Sequence, residues 1–172
     1  MSAVEFNFFR LLRLLRRLPV NILSFGNTTV IFAEYFKGFE KNDAVRGIFG
    51  EKTEEVLRTL RVELSWVWGY MYVDGSDGHL VISKNYLTNG CKTDIYLDLI
   101  HELCHVKQFA EGKELFDPNY DYVDRPTEIE AYRYTVEEAK RIGLSESEII
   151  KYLKTEWMTP EDLKRLVKNI GL

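Results

Sequence analysis

The chain has 172 residues, enough for one domain with a substantial core, and 45% of them are apolar while 29% are charged. The formal net charge of −4 excludes a global basic field that would attract nucleic acid or an anionic membrane. The chain has only two cysteines, Cys91 and Cys104, which excludes a disulfide framework and predicts free thiols in a reducing cytoplasm.

The first predicted element is an amphipathic helix over residues 5–18. Its arginines lie opposite its apolar residues, and they are Arg10, Arg13, Arg16 and Arg17. They interrupt the apolar run that a signal peptide requires, and the segment is too short and too charged to span a bilayer. Such helices usually pack on their own domain with a solvated basic side. Contact with a membrane surface or with nucleic acid is the weaker alternative.

A small sheet is predicted in the first half of the chain. The sequence "TTVIFAEYF" at 28–36 fits either a strand or the start of a helix, and "GEKTEEVLRTL" at 50–60 predicts a helix. Alternating apolar residues over 61–73 predict a strand. The turn sequence "DGSDG" at 74–78 then leads into a second predicted strand at 79–87. The two strands predict an antiparallel hairpin.

The next predicted helix, which Gly112 ends, contains the sequence "HELCH" at 101–105. Residues four apart in a helix lie on nearly the same face, so His101 and His105 can both bind one zinc ion at about 2.0–2.1 Å. Glu102 is rotated about 100° from His101 and reaches a water molecule on the open side of the metal instead. Zinc lowers the pKa of its water to about 7 and Glu102 takes the proton, so the motif predicts metal-assisted hydrolysis.

The residues around the motif favour a metal site over a structural hydrogen-bond network, which is the alternative. Apolar residues occupy most of the helix circumference, and the polar residues form one narrow stripe of Asp98, His101, Glu102, His105 and Gln108. Burying such groups without partners costs roughly 1–3 kcal/mol for each group. A metal ion or a water-filled cleft removes that cost.

The segment resembles the active-site helix of the zincin clan of zinc metallopeptidases, because it has the motif at 101–105 with the apolar sequence "YLDLI" before it. The resemblance implies that His101 and His105 bind Zn²⁺ and that Glu102 is the general base. "HELCH" is also similar to the SprT/Spartan-like DNA-repair proteases, but these proteins, like the metzincins, require a third histidine after the motif. The only other histidine is His79, which precedes the motif, so that branch is the weaker match.

The segment "TEIEAYRY" at 127–134 resembles the E-x-x-A-D/N signature of the gluzincin branch, as found in minigluzincins and in HtpX-like and ImmA-like peptidases. The resemblance implies that Glu128 is the third zinc ligand. Helical periodicity agrees, because Glu128 falls at the centre of the apolar stripe whereas Glu130 is turned about 200° away toward solvent. Thr127 and Glu130 are also predicted to form a capping box.

The chain departs from the gluzincin pattern at Tyr132, where the family usually has Asp or Asn to support a ligand histidine. The Tyr132 hydroxyl is expected either to accept a hydrogen bond from an imidazole N–H or to point into the cleft and stabilise an oxyanion. Tyr132 is therefore a candidate catalytic residue beside Glu102, with Arg133, Tyr134 and His79 as oxyanion-stabilising candidates of similar weight.

These predictions together describe a single α+β domain, helix-rich and zincin-like, with a small antiparallel sheet packed on the motif helix. Residues 1–50 hold the amphipathic helix and an uncertain segment, 51–143 the catalytic core, and 144–172 a C-terminal helical segment whose helices begin at Ser145 and Thr159. We expect a cytoplasmic zinc metalloendopeptidase that hydrolyses a peptide or protein substrate. A latent or inactive zincin-like binding domain and a SprT-like DNA-associated protease are the alternatives.

Overall fold

The computed structural model describes residues 26–66 and 68–172, so the helix predicted at 5–18 lies outside the described residues. The strands are β1 (Thr28–Ile31), β2 (Arg61–Ser65), β3 (Met71–Val73) and β4 (Leu80–Ser83). The helices are α1 (Phe32–Tyr35), α2 (Asp43–Phe49), α3 (Thr53–Thr59), α4 (Lys84–Asn89), α5 (Lys92–Ala110), α6 (Pro126–Arg141), α7 (Glu146–Leu153) and α8 (Pro160–Ile170). The α+β class is confirmed. Across the described ranges, no helix is long and apolar enough to cross a membrane.

The strands form one mixed sheet in the order β1-β2-β4-β3. β1 is antiparallel to β2 and β3 is antiparallel to β4, but β2 and β4 are parallel. The prediction of an antiparallel sheet is therefore wrong for its central pair. The predicted single strand over 61–73 is two strands, separated by a segment in which Gly69 has a φ of +98°. Only β3 and β4 form the predicted hairpin.

The second predicted strand, over 79–87, ends early because Ser83 begins a helix. The Ser83 side chain accepts a hydrogen bond from the backbone N–H of Tyr86 at 3.4 Å and caps α4. The strand is therefore limited to Leu80–Ser83, and all four of its residues are buried.

The motif helix α5 lies in the middle of one contiguous core, and α6 packs along it. Phe32 from α1, Leu103 from α5 and Leu166 from α8 are all fully buried in this core. The C-terminal helices therefore belong to the same packing unit as the motif. α7 and α8 begin with capping boxes at Ser145 and Thr159, as predicted from the sequence.

The start of α6 differs from the prediction. The helix begins at Pro126 with Arg125 as its N-cap residue, so the predicted capping box of Thr127 and Glu130 is wrong. The hydroxyl of Thr127 donates instead to the backbone carbonyl of Leu115, at 3.3 Å. This contact ties the first turn of α6 to the loop that follows α5.

Glu138 is a buried carboxylate that joins α2, α5 and α6. It is 1% exposed and accepts hydrogen bonds from Asn42 at 3.2 Å, from Arg141 at 2.6 Å and from the hydroxyl of Tyr96. We expect Glu138→Gln to lower the free energy of unfolding by about 1–3 kcal/mol, because it places an NH2 group among donors. Urea unfolding measures this loss. Glu137 is exposed, so the control Glu137→Gln should change stability by less than about 0.5 kcal/mol. An equal loss of stability in both variants would contradict the stabilising role of the Glu138 hydrogen bonds.

Candidate metal centre

His101 and His105 of α5 meet Glu128 of α6 where the two helices pack together. The Nε2 atoms of the two imidazoles are 3.0 Å apart. Oε2 of Glu128 lies 3.2 Å from Nε2 of His101 and 3.5 Å from Nε2 of His105. Three tetrahedral ligands that are each about 2.0–2.1 Å from zinc lie about 3.4 Å from one another. The three side chains therefore have the donor types and the spacing that a zinc ion requires.

The electrostatics of these three side chains also suit a divalent cation. All three are buried, and although burial favours the neutral acid, the hydrogen bonds to His101 and His105 hold the pKa of Glu128 well below its usual range. Burial opposes charge on His105 too, but the hydrogen bond with Glu128 and the nearby carboxylates raise the pKa of His105 to about 9. Burial lowers the pKa of His101. The ionised Glu128 thus needs a cationic partner, which a metal ion supplies in exchange for the His105 proton.

Glu102 lies beside this cluster but contributes no ligand atom to it. The residue is 9% exposed, and burial raises the pKa of Glu102 to about 8 although the charge of His105 and a hydrogen bond from the backbone N–H of Val73 oppose the shift. A carboxyl group whose pKa is near neutrality suits proton transfer at neutral pH. The position agrees with the rotation that separates Glu102 from the two histidines on the helix.

Gln108 contacts the cluster from the side away from the cavity. Its Oε1 is 2.7 Å from Nδ1 of His105, and the residue is fully buried. Because an amide oxygen only accepts, Nδ1 of His105 must carry the hydrogen, which leaves Nε2 free to face the cluster. The sequence placed Gln108 in the polar stripe of the helix but gave it no role. The feature of the sequence that could have indicated its contact with His105 is its position three residues later on the same face of the helix.

Tyr132 contacts His101 through its ring. The two ring centroids are 4.4 Å apart in an edge-to-face arrangement, and the Tyr132 hydroxyl lies 2.9 Å from the hydroxyl of Tyr122. The hydrogen bond expected between Tyr132 and an imidazole is not formed. Among the described residues, Nδ1 of His101 has no hydrogen-bond partner. Tyr122, which sequence analysis missed, comes from a 3-10 turn before α6 that has no periodic pattern to reveal it.

Glu130 is turned away from the cluster, as helical periodicity predicted, but it is not simply a solvent-facing charge. It accepts hydrogen bonds from Lys107 at 2.9 Å, Lys113 at 2.8 Å and Gln108 at 3.0 Å. Partial burial opposes ionisation of Glu130, but these three donors lower its pKa to about 2. Glu130 therefore links α6 to α5 and is not part of the candidate metal cluster.

A cavity of about 770 Å³ opens beside the candidate metal cluster. Its walls include the three candidate ligands, Glu102, Tyr122, Tyr132, residues 70–73 around β3, and side chains from residues 144–157. The cavity therefore leaves open space next to both Glu102 and the three-residue cluster.

Asp98 anchors the C-terminal wall of the cavity to the motif helix. Its carboxylate accepts hydrogen bonds from Tyr86 of α4 and from Tyr152 of α7, the latter at 2.7 Å. Burial raises the pKa of Asp98 to about 6 even though both hydroxyls favour its ionised form. The stripe residue Asp98 thus has a structural role at the edge of the site.

A second group of potential ligands, Asp74, Asp77 and His79, lies in the turn between β3 and β4. Asp77 pairs with the ring of His79 and with Arg61, and Asp74 accepts hydrogen bonds from Ser76. These contacts give the group a role in holding the turn, and none of its three residues lines the cavity.

Comparisons of the chain with protein-family models, with curated proteins and with solved structures find no match. The resemblance to zincin peptidases therefore rests on four residues, His101, Glu102, His105 and Glu128, and on their arrangement.

Proposed function

We propose that the protein is a zinc-dependent metallopeptidase, with His101, His105 and Glu128 as zinc ligands and Glu102 as the general base. One observation carries the proposal: three metal-binding atoms from two helices lie within 3.0–3.5 Å of one another. They are also buried beside a protonatable carboxylate and an open cavity. The same four residues are the ones that the resemblance to gluzincin peptidases implies.

The protein groups around the ion have separate tasks in the proposed reaction. Zinc held by the three ligands would act as a Lewis acid and lower the pKa of its water. Glu102 accepts the proton of the attacking water and transfers it to the leaving amine. The backbone N–H of Val73 holds the Glu102 carboxylate at the edge of β3. The hydroxyls of Tyr122 and Tyr132 line the cavity and are the donors best placed to stabilise an oxyanion.

The edge strand β3 offers a binding place for an extended substrate. Within the described sheet β3 is an outer strand, and its backbone bonds to β4 include Ser83 N–H to Tyr70 O and Asp74 N–H to His79 O, both at 2.9 Å. In an antiparallel pair the backbone N–H and C=O of every second residue point away from the partner strand, so those of Met71 and Val73 face outward. We expect the substrate backbone to pair with Met71 next to Glu102.

A blocked or purely regulatory cleft is the alternative function. Side chains from residues 144–157 form one wall of the cavity and leave a volume of about 770 Å³ beside the ligands, which favours an accessible site. Deleting the C-terminal helices is not a clean test of latency, because Ile149, Leu153 and Leu166 are fully buried in the core. The DNA-associated alternative draws on the "HELCH" motif and on the basic helix predicted at residues 5–18, which lie outside the described residues.

Cleavage of unfolded casein or of a mixed peptide library, measured beside zinc content, tests the proposed function. We expect one zinc ion per chain, cleavage that a zinc chelator abolishes, and recovery when zinc is added back. Protein that holds one zinc ion per chain and cleaves no peptide in the library would exclude a general peptidase and favour the regulatory alternative.

We also infer that the protein works in a reducing compartment such as the cytoplasm. Cys91 and Cys104 are both free, one exposed and one buried. Burial raises the pKa of Cys104 to about 12, so this thiol is unreactive although it lies within the motif.

A further inference from the structure

The amide of Gln108 contacts both helices of the metal centre. Its Oε1 is 2.7 Å from Nδ1 of His105, a ligand on α5. Its Nε2 is 2.9 Å from the carbonyl oxygen of Thr127 on α6, and Thr127 directly precedes the ligand Glu128. Gln108 is fully buried, so neither contact competes with bulk water. One side chain thus connects the second ligand to the residue before the third.

We propose that Gln108 is a positioning residue that fixes His105 and Glu128 relative to each other for metal binding; this inference rests on the metal centre of the proposed function. A primary amide is a neutral group with an acceptor and a donor at the same end of the side chain. The acceptor selects the His105 tautomer whose Nε2 is free for the ion. The donor holds the first turn of α6, and so the Glu128 carboxylate, near that atom.

Glu130 fixes the orientation of the Gln108 amide. Nε2 of Gln108 is 3.0 Å from Oε2 of Glu130, and Lys107 and Lys113 hold the Glu130 carboxylate in place. A flipped amide would turn its oxygen toward two acceptors, the Thr127 carbonyl and the Glu130 carboxylate. Glu130 and the Thr127 carbonyl, which lie outside the metal centre, therefore set the orientation of the Gln108 amide. In this orientation the amide links α6 to His105.

The affinity of the full-length protein for Zn²⁺, measured by competition with a fluorescent chelator, tests this role without reference to catalysis. Gln108→Met keeps a similar volume and removes both hydrogen bonds, and we expect it to weaken zinc binding by about 10–100-fold. We also expect a changed visible absorption spectrum when Co²⁺ replaces zinc, because the His105 ring is no longer held in one orientation. A merely structural role would leave this spectrum unchanged.

Glu138→Gln is the matched control, since it removes a buried polar contact of α6 outside the metal centre. A loss of about 1–3 kcal/mol leaves most proteins folded, so zinc affinity should stay within about twofold of the parent. Two results would overturn the inference. One is a Gln108→Met variant whose zinc affinity is within about twofold of the parent, and the other is a Glu138→Gln variant that weakens zinc binding as much as Gln108→Met does.

A rescue experiment covers the case in which Gln108→Met does not fold. Gln108→Glu keeps the acceptor for His105 but places two carboxylates together, so we expect weaker zinc binding. Adding Glu130→Gln restores a donor opposite the new carboxylate and should recover part of the affinity, but not all of it, because the donor to the Thr127 carbonyl stays absent. Absence of recovery contradicts the proposed role of Glu130.

The outcomes separate this inference from the peptidase proposal. If the parent binds zinc and cleaves nothing, while Gln108→Met loses affinity, the role of Gln108 stands and the peptidase proposal falls. If the parent cleaves peptides and Gln108→Met binds zinc normally, only the role of Gln108 falls. A parent that binds no divalent metal overturns both.

Discussion

Replacing Glu102 by Gln is expected to lower peptide cleavage by about 10²–10⁴-fold, the contribution typical of a general acid–base group. Glutamine has nearly the same shape but cannot accept the proton of the attacking water. Because Glu102 supplies no ligand atom to the cluster, zinc affinity should stay within about twofold of the parent. Initial rates on a cleaved peptide, measured with chelator competition on the same preparation, give both quantities.

Glu111→Gln is the control for the Glu102 experiment. Glu111 directly follows the same helix, but it is exposed and its ion pairs with Lys107 and Lys113 lie outside the cavity. Its replacement should leave cleavage unchanged. A Glu102→Gln variant that cleaves at the rate of the parent would remove Glu102 as the base, even if the metal centre itself were correct.

The second large effect is expected at Glu128, whose replacement by Ala removes one of the three proposed ligands. Structural zinc sites have four ligands and bind zinc with about 10–16 kcal/mol in all, so each ligand contributes about 3 kcal/mol. This free energy is equivalent to on the order of 10²-fold in affinity. We expect Glu128→Ala to lose its zinc on dialysis and to lose cleavage with it. Metal content after dialysis and chelator competition measure the change.

Glu130→Ala is the sharpest comparison for Glu128, because the two carboxylates lie two residues apart on α6. Glu130 contacts Lys107, Lys113 and Gln108 instead of the imidazoles. Its replacement should weaken zinc binding less than Glu128→Ala does. If Glu130→Ala loses zinc and Glu128→Ala retains it, the register of the third ligand is wrong by two residues.

Much of the candidate site could be predicted because its elements are local. His101, Glu102 and His105 are fixed relative to one another by a single helix, so their spacing determines which of them share a face. Glu128 required a further inference, but its phase on the apolar stripe of α6 pointed toward the core. The structure places Glu128 beside both imidazoles, whereas binding of zinc and hydrolysis stay predictions.

The remaining features depend on contacts between distant parts of the chain. The parallel pairing of β2 with β4 requires the chain to reverse direction between β2 and β3, which alternation of apolar residues does not reveal. The contact of Gln108 with the Thr127 carbonyl requires the packing of α5 against α6. Tyr122 comes from a short turn without periodicity. Each is a tertiary property that no local pattern encodes.

The hydrogen bonds of Asp98 have a consequence for the size of what can enter the site. Widening the cavity by moving α7 would break the bond between Tyr152 and Asp98 and would pull Ile149 and Leu153 out of the core. The wall of the cavity that α7 forms therefore resists outward movement. If the proposed peptidase activity is correct, we expect a cavity of about 770 Å³ with this fixed wall to take a single extended segment and not an intact globular domain, so that loose termini and unfolded loops are the substrates.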